Sequence, residues 1–295
     1  MTQAAELTKR DFDRFFSTKG RELWRWAFSP NRQRNYRDPA LIPRLLAEYD
    51  ALEMLPPAPV PKHIFMLWQQ GWNAAPPLVQ ACADAWRRLN PGWDLHLLDD
   101  RSLPSFAPGW ETFPRPAKLH RTALSNIARL DLLKTHGGVW ADATLFPTRP
   151  LDEWLPQAMG SGLFMFSKPR PYRDVEIWFI AGEAENPAIR AWHDLVSAYW
   201  INVLRPHHYY WMEYLFELLQ TFDPAAGTIA DSMPKLSAMG PLALPTHAFA
   251  RRPPRGLSDL IARNRIPVHK LSHKWRYWGP LDELPLGVLT GIGAL

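Results

Sequence analysis

The sequence predicts an α/β fold, and three observations carry the prediction. Short apolar runs at 63–68 and 94–98 flank a segment of helical period at 76–89, and the alternation returns at 119–135 and 139–146. A strand, helix, strand order builds a parallel unit, because parallel neighbours need a crossover long enough to hold a helix. Hydrophobic residues make up 46% of the 295 residues, while charged residues are 21% and the net charge is +5, so a sizeable core is available and disorder is excluded.

Residues 9–55 read as helical. Phe12, Phe15, Phe16, Leu23 and Trp24 recur at helical spacing among Lys9, Arg10, Arg14, Lys19, Arg21 and Arg25. Such a helix covers a core or lies on an anionic membrane; Asp11, Asp13 and Glu22 interrupt the basic face and favour the core. The pattern changes near Pro61, so residues 1–57 are expected as an N-terminal helical extension and 58–295 as the main domain. His63–Trp68 is read as a buried strand. Pro76 and Pro77 start a helix with Leu78, Cys82, Trp86 and Leu89 on one side, and Asn90-Pro91-Gly92 ends it. Asp94–Leu98 is the second strand, followed by Asp99-Asp100. Ligands of parallel sheets gather beyond the carboxyl ends of the strands, where Trp68, Gln69, Gln70, Asp99 and Asp100 fall. Leu119–Thr135 is a third helix, capped by His136-Gly137-Gly138, and Val139–Phe146 a third strand. Further strands are expected at 162–166 and 175–180 and one or two aromatic-rich helices at 187–220. His207-His208-Tyr209-Tyr210-Trp211 reads mainly as helix packing with an acceptor-side edge.

Composition narrows the classes. Cys82 stands alone, so an internal disulfide and a cysteine-rich metal site are excluded, and a reducing cytoplasm fits. The start lacks the apolar stretch of a signal peptide, and the charge-free run 63–83 contains Gln69, Gln70, Gly71, Asn73, Pro76 and Pro77, which no membrane-spanning helix would carry. Any membrane contact is therefore expected to be peripheral. The 30 prolines fall mainly between periodic segments, as fixed loops. Of the 15 tryptophans, most are expected to pack and one or two to stack on a sugar or a base.

The chemistry centres on Val139–Phe146. Side chains alternate across a strand, so Val139, Ala141, Ala143 and Leu145 form an apolar face while Asp142 and Thr144 point together the other way. Two oxygen groups so placed can hold one hard cation, Mg or Mn, which would neutralise a departing diphosphate; the bland alternative is a turn-forming Asp beside a β-favouring Thr. On the preceding helix Ser125, Asn126 and Arg129 share a wedge of about 100° on an otherwise apolar wheel. That wedge is either an internal network, with Arg129 paired to Asp131 or Asp142, or a binding surface for sugar hydroxyls.

The run SNIARLDLLKTHGGVWADATLFPTRPLDEW resembles the DXD-containing sugar-binding region of glycosyltransferases that include fungal mannosyltransferases and clostridial glucosylating toxins, and is closer still to bacterial capsular polysaccharide synthesis proteins. PKHIFMLWQQGWNAAPPLVQACADAWRRLNPGWDLHLLDD and PVHKLSHKW resemble that family's first strand–helix–strand block and its C-terminal His-containing motif, so the likeness covers about 60–275. It implies a GT-A type nucleotide-sugar-binding fold, a mostly parallel central sheet flanked by helices, and a retaining hexosyltransferase that moves a hexose from a UDP- or GDP-linked donor to a glycan or lipid-linked acceptor in capsule, exopolysaccharide or lipopolysaccharide synthesis. Catalysis would fall to Asp142 and Arg129; the donor sugar to Ser125, Asn126, Arg129 and Asp142; the nucleotide to Trp68, Gln69 and Asp99; and Mn or Mg to Asp142, Thr144 and His269, with His273 as the other candidate histidine. Two departures stand out. Thr144 replaces the second aspartate, although the capsular branch often reads Asp-Ala-Thr, and Asn126 replaces an aspartate one turn before the arginine. They motivate a second reading, a catalytically silent glycan-binding or scaffold protein on the same fold. From Arg251 to Trp278 there are eight Lys or Arg residues and one acid, Asp259, which fits either a loop closing over a diphosphate or a solvated basic surface. A basic balance without a recognised module makes no nucleic-acid partner expected. The expected location is the cytoplasm, with peripheral contact to the inner membrane face.

Overall fold

The computed structural model describes residues 6–28, 38–170, 172–243 and 265–274. Of the basic tail at 251–278, residues 251–264 and 275–278 lie outside the described residues. Two helices come first, α1 (Lys9–Ala27) and α2 (Leu41–Glu53). The core then runs β1 (His63–Leu67), α3 (Pro77–Leu89), β2 (Asp94–Leu98), the short α4 (Leu103–Phe106), α5 (Arg121–His136), β3 (Gly138–Ala141), β4 (Leu145–Pro147), the short α6 (Leu155–Ala158), β5 (Leu163–Arg170), β6 (Arg173–Gly182), α7 (Pro187–Asn202), α8 (Trp211–Phe222), α9 (Pro224–Ser232) and β7 (Val268–Lys270).

A five-stranded sheet has the order β2-β1-β3-β6-β5. β1 pairs in parallel with β2 and with β3. β6 opposes β3, and β5 opposes β6 and so returns to the first direction, which leaves the sheet mostly parallel, as expected. Alternation sorts its side chains. Ile64, Met66, Val139 and Ala141 pack with α2, α3 and α6, while Phe65, Leu67 and Trp140 pack with α1, α5, α7 and α8. Helices thus cover both faces, the arrangement that buries a parallel sheet. Each large apolar side chain so buried contributes about 1.5–3 kcal/mol. The apolar face of α1 joins the core through Phe12 and Phe16, whereas Trp24 and Phe28 stay exposed. Cys82 is sealed inside, and burial pushes its thiol up to about 12. No helix among the described residues is long and apolar enough to cross a membrane.

The structure corrects one element. Val139–Phe146 is not a single strand: β3 stops at Ala141, the amide of Leu145 donates to the carbonyl of Asp142 at 2.8 Å, and β4 leaves to pair antiparallel with β7 in a second, two-stranded sheet. Asp142, Ala143 and Thr144 therefore form a turn at the strand end.

Candidate functional site

The turn from α5 into β3 aims the site. Gly137 and Gly138 have φ of 65° and 94°, and a Cβ on Gly138 would lie 2.5 Å from the carbonyl oxygen of His63. Only glycine tolerates both the left-handed backbone and that approach, which lets β3 lie flush against β1. β1 and β3 are parallel neighbours, so Trp68 and Asp142, each one residue past its strand, emerge side by side at the carboxyl edge.

Asp142 is gripped from three sides. Oδ1 accepts from Trp140 Nε1 at 3.0 Å and from Arg129 Nη2 at 3.3 Å, and Oδ2 accepts from Lys270 Nζ at 3.0 Å. Burial would push its carboxyl up, but the Lys270 ammonium and the Arg129 guanidinium together hold it below the ordinary aspartate value. Arg129 is itself buried. It donates to the carbonyl of Ile177 and to the backbone and hydroxyl oxygens of Ser125, and its guanidinium lies 4.9 Å from the centre of the Trp140 ring. Burial lowers its pKa and Asp142 raises it back in part.

Two adjoining cavities open from this pair. The larger, about 670 Å³, is lined by Trp68, Gln69, Ser125, Thr144 and His273 among others, and by four cationic side chains, Arg121, Arg129, Lys270 and Lys274, against one acid, Asp142. The smaller, about 400 Å³, includes Asn126, Tyr172, Arg173, Glu176, Trp178, Tyr210 and Glu213. Thr122, Arg129, Asp142, Tyr209 and Lys270 line both. In the smaller cavity Arg173 bonds Glu176 at 2.6 Å, lies 3.6 Å from Glu213, and sits 3.8 Å over the Tyr210 ring. Burial dominates at Glu213 and pushes its carboxyl up to about 8 despite Arg173; Oε2 finds no hydrogen-bond partner among the described residues.

Of the residues singled out from sequence, Trp68, Gln69, Ser125, Asn126, Arg129, Asp142 and Thr144 all line one cavity or both. Trp68 and His273 meet edge to face with ring centres 5.3 Å apart, and the buried Nε1 of Trp68 is unpartnered among the described residues. Asp99 and His269 line neither cavity. Asp99 spends Oδ1 on the amides of Arg101 and Ser102 and on the Ser102 hydroxyl, capping its own turn. His269 sits opposite Phe146 on β7 and is 1% exposed; burial pushes its imidazole down to about 3. Neighbours on a strand face opposite ways, so the residue that reaches the site is Lys270, which also donates to Thr144 Oγ1 at 2.8 Å.

That placement bears on the expected divalent ion. Its two oxygen ligands are one carboxylate and one hydroxyl, both engaged by an ammonium, and the third expected ligand is sealed elsewhere. Among the described residues no group of three or more His, Cys, Asp or Glu side chains could hold a metal ion. A divalent ion here would meet one carboxylate and one hydroxyl already engaged by Lys270, and would need diphosphate oxygens and water to complete its shell. Tyr209, from the stretch read as helix packing with an acceptor-side edge, lines both cavities; sequence reasoning missed Lys270, Trp140 and the Arg173–Glu176–Glu213 group. Trp140 shares the parity of Asp142 and could have been found by alternation. The others are brought in by tertiary packing.

The family profile described as capsular polysaccharide synthesis protein matches residues 42–278. The chain is 28% identical over 158 residues to the O-glycosyltransferase braB of Annulohypoxylon truncatum, an alignment covering 47% of this chain and 38% of that protein. It is 23% identical over 172 residues to HOC1 of Saccharomyces cerevisiae, covering 55% of this chain and 40% of that one. The chain thus spans about two fifths of the length of these curated relatives. Among solved structures, one titled PaToxG Glycosyltransferase aligns over 65% of this chain and 82% of its own, at 18% identity and a TM-score of 0.39.

Proposed function

Since the chain belongs to the capsular polysaccharide synthesis protein family, we propose that it is a glycosyltransferase working on a nucleotide-diphosphate sugar. The observation that carries the reading is Asp142, held by Arg129, Trp140 and Lys270 where two cavities meet. Both volumes fall in the range of small-molecule sites, roughly 300–1,000 Å³. The larger cavity, cationic and floored by Trp68, suits a nucleoside diphosphate: an indole offers a face to a base, and four cations suit phosphates. The smaller one, with Asn126 and a polar Arg173–Glu176–Glu213 floor, suits a hexose and the acceptor hydroxyl. Asp142 and Arg129 would then grip the sugar at its reacting end. We read the donor as UDP- or GDP-hexose, the acceptor as a glycan or lipid-linked sugar in capsule, exopolysaccharide or lipopolysaccharide assembly, and the transfer as retaining. Peripheral contact with the inner membrane face belongs to the same proposal, supported by exposed Trp24 on the basic helix α1 and exposed Phe28 just past its end.

The experiment is donor hydrolysis and transfer with UDP- and GDP-hexoses, with and without Mn. Asp142→Ala and Arg129→Ala should each lower turnover by about 100-fold or more, the scale expected when a preorganised charged group is removed. Activity that survives both substitutions would overturn the assignment. Absence of UDP or GDP binding by calorimetry, under every metal condition, would favour the silent scaffold that Thr144 and Asn126 suggest.

A further inference from the structure

The geometry points to Lys270 as the built-in cation of this site, doing for a departing diphosphate what a divalent metal would otherwise do. The inference rests on the glycosyltransferase reading above and goes further in naming the residue and in making the reaction independent of metal.

Three observations carry it. Lys270 Nζ lies 3.0 Å from Asp142 Oδ2 and 2.8 Å from Thr144 Oγ1, so it occupies the space between the two oxygens that a metal would need. An ammonium has three donors. Two are spent on those oxygens, and Lys270 lines both cavities, so the third is available to an anion lying between them. The ammonium is also well fixed. Its strand is paired with β4, its backbone amide donates to the carbonyl of Pro241 at 3.0 Å, and its side chain is only 22% exposed. A cation fixed in advance needs no reorganisation when charge develops beside it. Thr144 gains a meaning as well. A second carboxylate there would neutralise Lys270 and invite a metal, whereas a hydroxyl orients the ammonium and leaves its charge for the ligand.

The step balances without a metal. The bond from the anomeric carbon to the terminal diphosphate oxygen breaks, and its electron pair stays on that oxygen beside Lys270. The acceptor oxygen closes on the anomeric carbon, and its proton ends on the released diphosphate. Arg129 spends four of its five N–H donors on Ser125, Ile177 and Asp142 and its side chain is 4% exposed against 22% for Lys270, so the diphosphate charge falls chiefly to Lys270.

Calorimetry with UDP, GDP, UMP and GMP, in EDTA and in Mn, tests this apart from activity. The wild-type protein should bind a diphosphate in EDTA, and Mn should change that affinity by less than about threefold. Lys270→Met should erase at least tenfold of the preference for diphosphate over monophosphate and leave monophosphate affinity unchanged. Turnover should fall by about 100-fold or more, and Lys270→Arg should recover most of both. Thermal melting of each variant separates these effects from misfolding. Diphosphate binding that requires Mn, or a Lys270→Met preference equal to wild type, would overturn the inference while leaving the glycosyltransferase reading intact. Failure of all four nucleotides in every condition would overturn both.

Discussion

Asp142 accepts from an indole, a guanidinium and an ammonium, so its charge is held without being cancelled. Asp142→Asn keeps the shape but loses the charge that Arg129 and Lys270 both face. It leaves two cations repelling each other in a partly buried site, and turnover and melting temperature should fall together. Glu213 lines the smaller cavity together with Asp142, and its carboxyl is raised to about 8. Between its unfolded value near 4.5 and that folded value, the folded state holds the extra proton. Stability from this group is therefore full below pH 4.5 and drains as pH rises towards 8, by at most about 1.4 kcal/mol per pH unit. Chemical denaturation across that window should show a falling midpoint, and Glu213→Gln should flatten the slope; a slope unchanged by the substitution would mean that Glu213 is ionised throughout. At this scale the sequence was readable where side-chain parity within one element decides. Arg129, Asn126 and Ser125 share a helical wedge, and that wedge faces the cavities. It was unreadable at 269 and 270, because a three-residue strand carries no internal sign of which neighbour faces inward. At Asp99 the residue type alone does not decide, because a carboxylate after a strand serves a turn, as its Oδ1 does, as readily as a ligand.

Elements were recovered better than their ends. β2 runs over the residues expected, and α3 differs by one at its start. The exception is Val139–Phe146, where apolar alternation continues across a break that no glycine or proline marks. Only the second sheet, built with a strand more than a hundred residues later, reveals it. Two glycines give opposite predictions. Gly138→Ala must force a side chain into left-handed backbone and against the His63 carbonyl, which should cost about 2–4 kcal/mol and lower the melting temperature by several degrees. Gly20→Ala, exposed within α1 with nothing near its Cβ position, should instead stabilise by about 0.5–1 kcal/mol. If Gly20→Ala destabilised the protein, α1 would be pressed against something at that point.

At the level of the whole molecule, charge is concentrated where it is used. The chain carries +5 overall, and the larger cavity alone gathers four cations against one carboxylate. Diphosphate affinity should therefore weaken steadily as salt rises, because screening acts on each exposed cation. A bound nucleotide should also raise the melting temperature by mass action, with about 2.7 kcal/mol gained at a hundred times Kd. Differential scanning over a nucleotide series at two salt concentrations measures both, and a shift insensitive to salt would mean that the phosphates are not held by these cations. The fold class was legible because strand, helix and strand follow one another locally. The meeting of two cavities was not, since it joins loops far apart in sequence.

Asp142 and Lys270 stand 128 positions apart, yet neither half of their contact serves alone. On the ribosome, the acid and its indole and guanidinium partners emerge first and wait. An unfinished chain that stops short of β7 carries a carboxylate without its ammonium, so no such fragment can present the finished pair to a nucleotide.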